Sequence, residues 1–333
     1  MVAYMGSAVS LAEKNIDSIH AQTYRALQLE LPAKDFQTLT GSSEYRRKSF
    51  SDAAFFHEQL KLYLVKPLYV GVVFLLWKTG FSLSLGTLIP SLFSTICIGL
   101  FIFFWMQKKM KPMHAGILNT LIMLSPPFWD VARYATPDAL GGLLVLIAFY
   151  FLVERKNFTA FSVLMIAGML IRIDLALLFL LTIIWLMFPG RKFLSLANGV
   201  LITSATVVVV IAVVELLFAG NKGESLTAFY NFGMDNTDAL SNYFRKFTGL
   251  FPQLRYTFFT VFLAVPMMTL LFTRTLSEWK TNFNVQVILL LFSYTVTRLV
   301  LFPSLEDRFF IAEYLIQVIV SVRCWRERNL FTV

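Results

Sequence analysis

The sequence predicts an all-α, polytopic membrane bundle, and three observations carry that expectation. Apolar residues make up 57% of the 333-residue chain and charged residues 15%, where an ordinary soluble domain has about 25% charged residues. The apolar residues gather into runs approaching the ~20 that a helix needs to cross a bilayer. Basic residues recur in alternate connectors between those runs, the pattern expected when those connectors share the cytoplasmic face. The mean hydropathy of +0.67 and the 34 phenylalanines suit lipid-facing and bundle-packed helices.

About nine spans are predicted, over 83–106, 113–128, 139–153, 158–171, 175–188, 193–219, 256–273, 285–301 and 309–322. The runs 158–171 and 175–188 are short, and read equally as one broken helical hairpin buried in the bundle. Lys108, Lys109 and Lys111 follow the first span, Arg155 and Lys156 the third, and Arg191 and Lys192 the fifth. Arg274 and Lys280 follow the seventh, and Arg323, Arg326 and Arg328 the ninth. The opposite connectors carry Asp130, Asp138, Asp174, Glu306 and Asp307. The positive-inside rule therefore puts the basic connectors in the cytoplasm and the acidic ones outside. A net charge of +9 would raise nucleic acid as a partner for a soluble chain. Here its placement between apolar runs assigns it to topology and excludes nucleic acid. Cys97 and Cys324 lie in or beside apolar runs and suggest neither a metal site nor a disulfide framework.

Two regions follow. Residues 1–82 form an extracytoplasmic segment with juxtamembrane helices, and residues 83–333 form the transmembrane bundle, with a second outer loop at 220–255. Residues 1–12 are too short to span and lack the charged start of a signal peptide. A spanning helix upstream of the given start is therefore expected, since something must export the segment that follows; the alternative, an amphipathic start with the stretch left in the cytoplasm, breaks the charge alternation. Ile19, Thr23, Ala26, Leu27 and Leu31 have helical spacing, and Pro32 ends that helix. Residues 36–56 read as surface helices. Pro67 opens a short apolar helix bracketed by Lys66 and Lys78, which is expected to lie in the outer interface.

No phosphate loop, His/Glu metal helix or nucleophile elbow occurs. The chemical signal is instead a set of charged residues on the outer side, next to spans. Asp17, His20 and Tyr24 share one helix face. Asp17 reads as a general base or as a solvated first-turn carboxylate favoured by the helix dipole. Residues Ser125-Pro126-Pro127 end one run, and Thr136-Pro137-Asp138 open the next. Asp138, expected at the second helical position, stabilises a helix start, and Arg133 between them suits a phosphate. Arg172 and Asp174 between short apolar runs are intramembrane charges with a functional role or a mutual salt bridge. Arg308 lies on the outer side against the basic bias, as a phosphate ligand or an interface snorkel. Glu313 lies about one turn deeper.

These residues resemble the GT-C glycosyltransferase superfamily, which includes protein O-mannosyltransferases, aminoarabinose transferases and oligosaccharyltransferase catalytic subunits. The stretch from Ile16-Asp17-Ser18-Ile19-His20 to Tyr24 is similar to the acidic start of that superfamily's first outer loop. Val65-Lys66-Pro67-Leu68-Tyr69 resembles its entry to a juxtamembrane helix. Tyr134-Ala135-Thr136-Pro137-Asp138-Ala139-Leu140 resembles its second acidic motif, and Arg308-Phe309-Phe310-Ile311-Ala312-Glu313-Tyr314 its late arginine element without the proline. The resemblance implies a polyprenyl-phosphate sugar donor and a lipid, glycan or protein acceptor. It also implies Asp17 as the base. His20, Tyr24, Lys66, Arg133, Asp138, Arg172, Asp174, Arg308 and Glu313 would then surround the donor. No Asp-X-Asp pair assigns a metal, so no cofactor is implied and a divalent ion is left open. The implied location is a plasma (inner) membrane with the active site on the extracytoplasmic face. Two other classes stand beside this one. A transporter or flippase would use the intramembrane charges as a pathway, and a noncatalytic membrane subunit would keep the fold without the reaction.

Overall fold

The computed structural model describes residues 1–187, 204–209, 211–212, 244–245, 247–250, 252, 259–272, 282–301, 304 and 306–327. Among them every regular element is helical and there is no strand. The loop expected at 220–255 and the span expected at 193–219 fall mostly outside the described residues.

Six short helices form the first layer: α1 (Val2–Ser10), α2 (Ile16–Glu30), α3 (Ala33–Gly41), α4 (Glu44–Ser51), α5 (Ala53–Leu64) and α6 (Pro67–Lys78). Local sequence fixes their ends. The Asn15 side chain accepts from the Ser18 amide at 2.9 Å and caps α2, and Asp52 caps α5 through the Phe55 amide at 2.9 Å. Leu31 is extended because Pro32 follows it, which stops α2. Pro67 starts α6, and α6 bends from α5 by 113°. Tyr4, Met5, Ile19, Leu27, Phe56, Leu60, Tyr69 and Val73 pack these helices into one core. The Glu30 side chain accepts from the Leu83 and Ser84 amides, tying the layer to the start of the bundle.

The bundle follows as α7 (Leu83–Gln107), α8 (Pro112–Met123), α9 (Pro126–Arg133), α10 (Asp138–Val153), α11 (Phe158–Met169) and α12 (Leu175–Met187). Then come α13 (Phe259–Phe272), α14 (Phe283–Leu301), a 3-10 turn (Asp307–Phe310) and α15 (Ile311–Glu327). Residues 310–320 are buried throughout, so α15 runs through the middle of the bundle. It packs against α7, α10, α13 and α14. The core includes Ile98, Ile102, Phe149, Phe161, Phe179, Ile288 and Leu315. Phe93, Ile96, Leu100 and Phe104 of α7 and Met113, Ile117 and Leu121 of α8 turn outward. A contiguous exposed apolar face of this kind marks a surface that meets lipid or a partner.

Among the described residues, α7 and α14 are long and apolar enough to cross a membrane. Two further crossings arise if each bent pair, α5 with α6 and α9 with α10 (118°), counts as one. The expected continuous run over 113–128 is corrected: it breaks after Met123, and α9 starts at Pro126. Two consecutive prolines supply no amide donors, and the residue before a proline is pushed out of the helical region. The runs 158–171 and 175–188 are two helices of 12 and 13 residues with residues 170–174 between them. At 1.5 Å per residue each covers roughly 20 Å, short of a ~30 Å hydrocarbon core. The span expected over 309–322 begins as a 3-10 turn and continues as α15 to Glu327. Asp138 is the first residue of α10, one place earlier than expected.

Candidate functional site: a buried ion cluster at one end of the bundle

The starts of α10 and α15, the end of α14 and the 170–174 turn meet at one end of the bundle. The loop before α10 is held by α7: the Ser91 hydroxyl donates to the Thr136 carbonyl at 3.0 Å. The Thr136 hydroxyl in turn donates to Asp138 Oδ2 at 2.7 Å, which fixes one face of the carboxylate. The turn between α11 and α12 brings Arg172 onto Asp174 in a two-pronged pair, with Nε to Oδ1 at 3.2 Å and Nη2 to Oδ2 at 2.6 Å. Arg172 Nη2 also donates to the Phe309 carbonyl at 3.3 Å, and Nη1 lies 3.6 Å from Asp138 Oδ1. The mutual salt bridge of Arg172 and Asp174 therefore forms, inside a larger cluster.

Arg298, in the last turn of α14, donates through Nε to Asp174 Oδ2 at 3.0 Å. Arg308 in the 3-10 turn pairs with Glu306, and its Nη1 lies 3.6 Å from Asp138 Oδ2. The Phe309 ring lies 4.8 Å from both the Arg298 and the Arg308 guanidinium carbons, and Tyr134 lies 5.1 Å from that of Arg308. Such ring faces stabilise guanidinium groups withdrawn from water. Asp138 and Arg172 are 3% and 5% exposed. Lys66, at the bend between α5 and α6, donates to the Tyr4 hydroxyl at 2.7 Å. Withdrawal from water pushes its ammonium down to about 8, against the upward pull of Asp138 and Asp174 and with the downward push of Arg172 and Arg308.

Donor capacity at this end is not used up. Arg298 Nη1 is buried and has no hydrogen-bond partner. The two 3.6 Å ion pairs to Asp138 are too long to be hydrogen bonds. From the first turn of α15 onward, the buried stripe Glu313, Gln317 and Ser321 continues the polar region into the bundle. Both polar atoms of the Gln317 side chain, Ser321 Oγ and the Tyr294 hydroxyl lack hydrogen-bond partners. Among the described residues no group of three or more His, Cys, Asp or Glu side chains is placed to hold a metal ion.

The structure thus brings together Asp138, Arg172, Asp174 and Arg308 of the expected site, with Lys66 in electrostatic reach and Glu313 just inside. It does not bring in the others. Asp17 opens α2 as an exposed residue without a side-chain partner among the described residues. His20 Nε2 contacts the Ser49 carbonyl at 3.1 Å, and its ring packs on Tyr24 and Phe56. His20 and Tyr24 therefore serve the packing of the first layer. Arg133 pairs with Asp130 at 2.7 Å on the surface, with its side chain 65% exposed. Arg298 and Tyr4 complete the arrangement and were missed in the sequence. The signal for Arg298 was present, as a lone arginine inside an apolar run.

No family model, curated protein or solved structure matches this chain.

Gly141 decides whether the cluster can form. A Cβ at this position would sit 2.9 Å from Arg172 Cδ and 3.4 Å from Arg172 Cγ. Gly141→Ala is expected to displace the Arg172 stem and to cost about 1–3 kcal/mol, the usual range for overpacking a core. Thermal unfolding of the purified protein in detergent measures this, and an unchanged midpoint would mean that the stem has room to move.

Proposed function

We propose that this protein is a membrane glycosyltransferase that moves a sugar from a polyprenyl-phosphate-linked donor to a lipid, glycan or protein acceptor. The reaction takes place at the Asp138–Arg172–Arg298–Arg308 end of the bundle, on the extracytoplasmic face of a plasma membrane, in a bundle of about nine spans. The observation that carries this reading is that Arg298 Nη1 has no hydrogen-bond partner among the described residues, beside two ion pairs to Asp138 stretched to 3.6 Å. A phosphate group supplies the oxygens these donors lack, while exposed apolar helix faces receive a lipid tail.

In this reading Arg298, Arg308 and Lys66 hold the phosphate, and Asp138 takes the acceptor proton. The bond between the sugar's anomeric carbon and the phosphate oxygen breaks, the acceptor oxygen bonds to that carbon, and the lipid phosphate leaves with its negative charge held by the arginines. Asp17 had this role in the sequence resemblance, but its exposed place on α2, without contacts to the cluster, moves the assignment to Asp138.

The test is transfer of labelled sugar from polyprenyl-phosphate donors in reconstituted vesicles. Asp138→Asn is expected to abolish transfer at equal expression, and Asp17→Asn to leave it. The reverse result would return the base to Asp17, and no transfer with any donor would sink the enzyme reading. Transfer is also expected to fall as pH rises through about 8. Lys66 binds an anion in its protonated form, and that form is lost as pH passes its folded value of about 8. The unfolded chain still holds this proton up to about 10.4, so folding stability without ligand rises over the same window. Lys66→Arg is expected to flatten the alkaline limb.

One observation favours a second reading, a transporter. The buried polar stripe of α15 has no purpose in surface transfer chemistry, and intramembrane polar residues mark pathways. Counterflow of sugar phosphates in proteoliposomes, with no covalent transfer, would select it.

A further inference from the structure

The opposite end of the bundle carries a second charged group of different character. Helix α10 runs from Asp138 to its C-terminal cap at Glu154, which sets the two ends about 24 Å apart at 1.5 Å per residue. Glu154 accepts from Trp105 Nε1 at 3.1 Å, pairs with Lys109 at 2.8 Å and lies 3.3 Å from Arg323. Seven cations come from the same three helix ends: Lys108, Lys109 and Lys111 after α7, Arg155 and Lys156 after α10, and Arg323 and Arg326 in α15.

Two carboxylates, Glu154 and Glu327 at the end of α15, cannot neutralise seven cations. Lys108 and Arg155 lie over the Tyr150 ring at 4.7 and 5.9 Å, and neither pairs with Glu154. The α10–α11 turn keeps Lys156 at φ +52, a left-handed conformation that is costly for a residue with a Cβ. Exposed apolar side chains begin immediately beside the cations: Phe104 on α7 is 59% exposed, and Met113 and Ile117 on α8 are 68% and 53% exposed. An anion that fits must therefore be continuous with hydrocarbon.

We infer that this end binds the headgroup of an anionic phospholipid, with its acyl chains lying along the exposed faces of α7 and α8. The headgroup phosphate lies among Lys108, Lys111 and Arg155, which Glu154 leaves available. The α7 and α10 C-termini at this end disfavour an anion, while the α8 and α11 N-termini that follow them favour it. The lysine and arginine side chains supply the attraction. The site is independent of the chemistry proposed for the other end.

The test uses purified, delipidated full-length protein in neutral detergent. Phosphatidylglycerol is expected to raise the unfolding midpoint where phosphatidylcholine does not, and 0.5 M salt should largely remove the rise. In native mass spectrometry from mixed vesicles, phosphatidylglycerol should be retained over phosphatidylcholine. Changing Lys108, Lys111 and Arg155 to Gln should weaken that retention by about fivefold per charge removed. None of these three residues belongs to the candidate active end. Because lost positive charge can also disturb insertion, the double variant Lys108→Arg, Lys111→Arg, with Arg155 kept, should retain the lipid. Equal responses to the two lipids, unchanged retention in the Gln form, or a rise reproduced by inorganic phosphate alone would each overturn the proposal.

Discussion

Arg172→Ala is expected to lower stability by about 3–5 kcal/mol, the loss typical of removing one partner from a buried charge cluster. Arg172 is the hub of the ion cluster. It bonds Asp174 twice, reaches Asp138 at 3.6 Å and donates to the Phe309 carbonyl. Without it, Asp174 keeps only Arg298, and Asp138 keeps only Arg308 at 3.6 Å and Thr136. A carboxylate in that setting is costly because burial disfavours charge unless it is paired. The 3-10 turn before α15 also loses its cross-bundle anchor. Thermal unfolding in detergent measures the loss, with Arg133→Ala as the comparison. Arg133 is 65% exposed and pairs with a surface carboxylate, so its removal is expected to cost no more than about 1 kcal/mol. Similar losses in the two variants would show that the cluster is solvated and not a structural hub.

Glu313→Leu is expected to act in the opposite direction, raising stability while removing function. Glu313 is 1% exposed on the central helix, and no ion pair to it forms among the described residues. Arg172 and Arg298 act on it only through their field. A carboxyl kept in such a place loses solvation that a bond from its own backbone amide only partly replaces, and a leucine of similar size fills the space without that cost. The expected gain is about 1–3 kcal/mol, the order of the cost of withdrawing a polar group from water. Such a gain coupled to lost transfer or transport would be the signature of a residue retained for function. A destabilised Glu313→Leu variant would show instead that the carboxyl holds the helices together.

The helical, membrane-type character of the chain was legible because it depends on composition and on sums over long windows. Helices α7 and α14 could be read as apolar runs, and the caps and prolines at Asn15, Asp52, Pro67 and Pro126 act within a few residues of themselves. The run 113–128 misled because its hydropathy is continuous while its backbone is not, and only the consequence of Pro126 and Pro127 for the preceding residues separates α8 from α9. At the site, Asp138, Arg172, Asp174 and Arg308 could be named in advance, since a charge beside or inside an apolar run stands out. Arg298 carries the same signal and was passed over. Asp17 was chosen from a local motif, and a motif says nothing about the distance from α2 to the cluster.

The sequence by itself determined that this is a helical, membrane-type chain with charges concentrated at the ends of its apolar runs. Hydrophobicity and helix capping are local, and they survive without knowledge of the partners. The tertiary structure alone decided which charges meet. Asp138, Arg172, Asp174, Arg298 and Arg308 come from positions up to 170 residues apart in the chain. A pair of charges interacts strongly only within a few ångströms in a low-dielectric interior. That proximity depends on how α10, α14 and α15 pack, and on the absence of a Cβ at Gly141 that lets Arg172 pass.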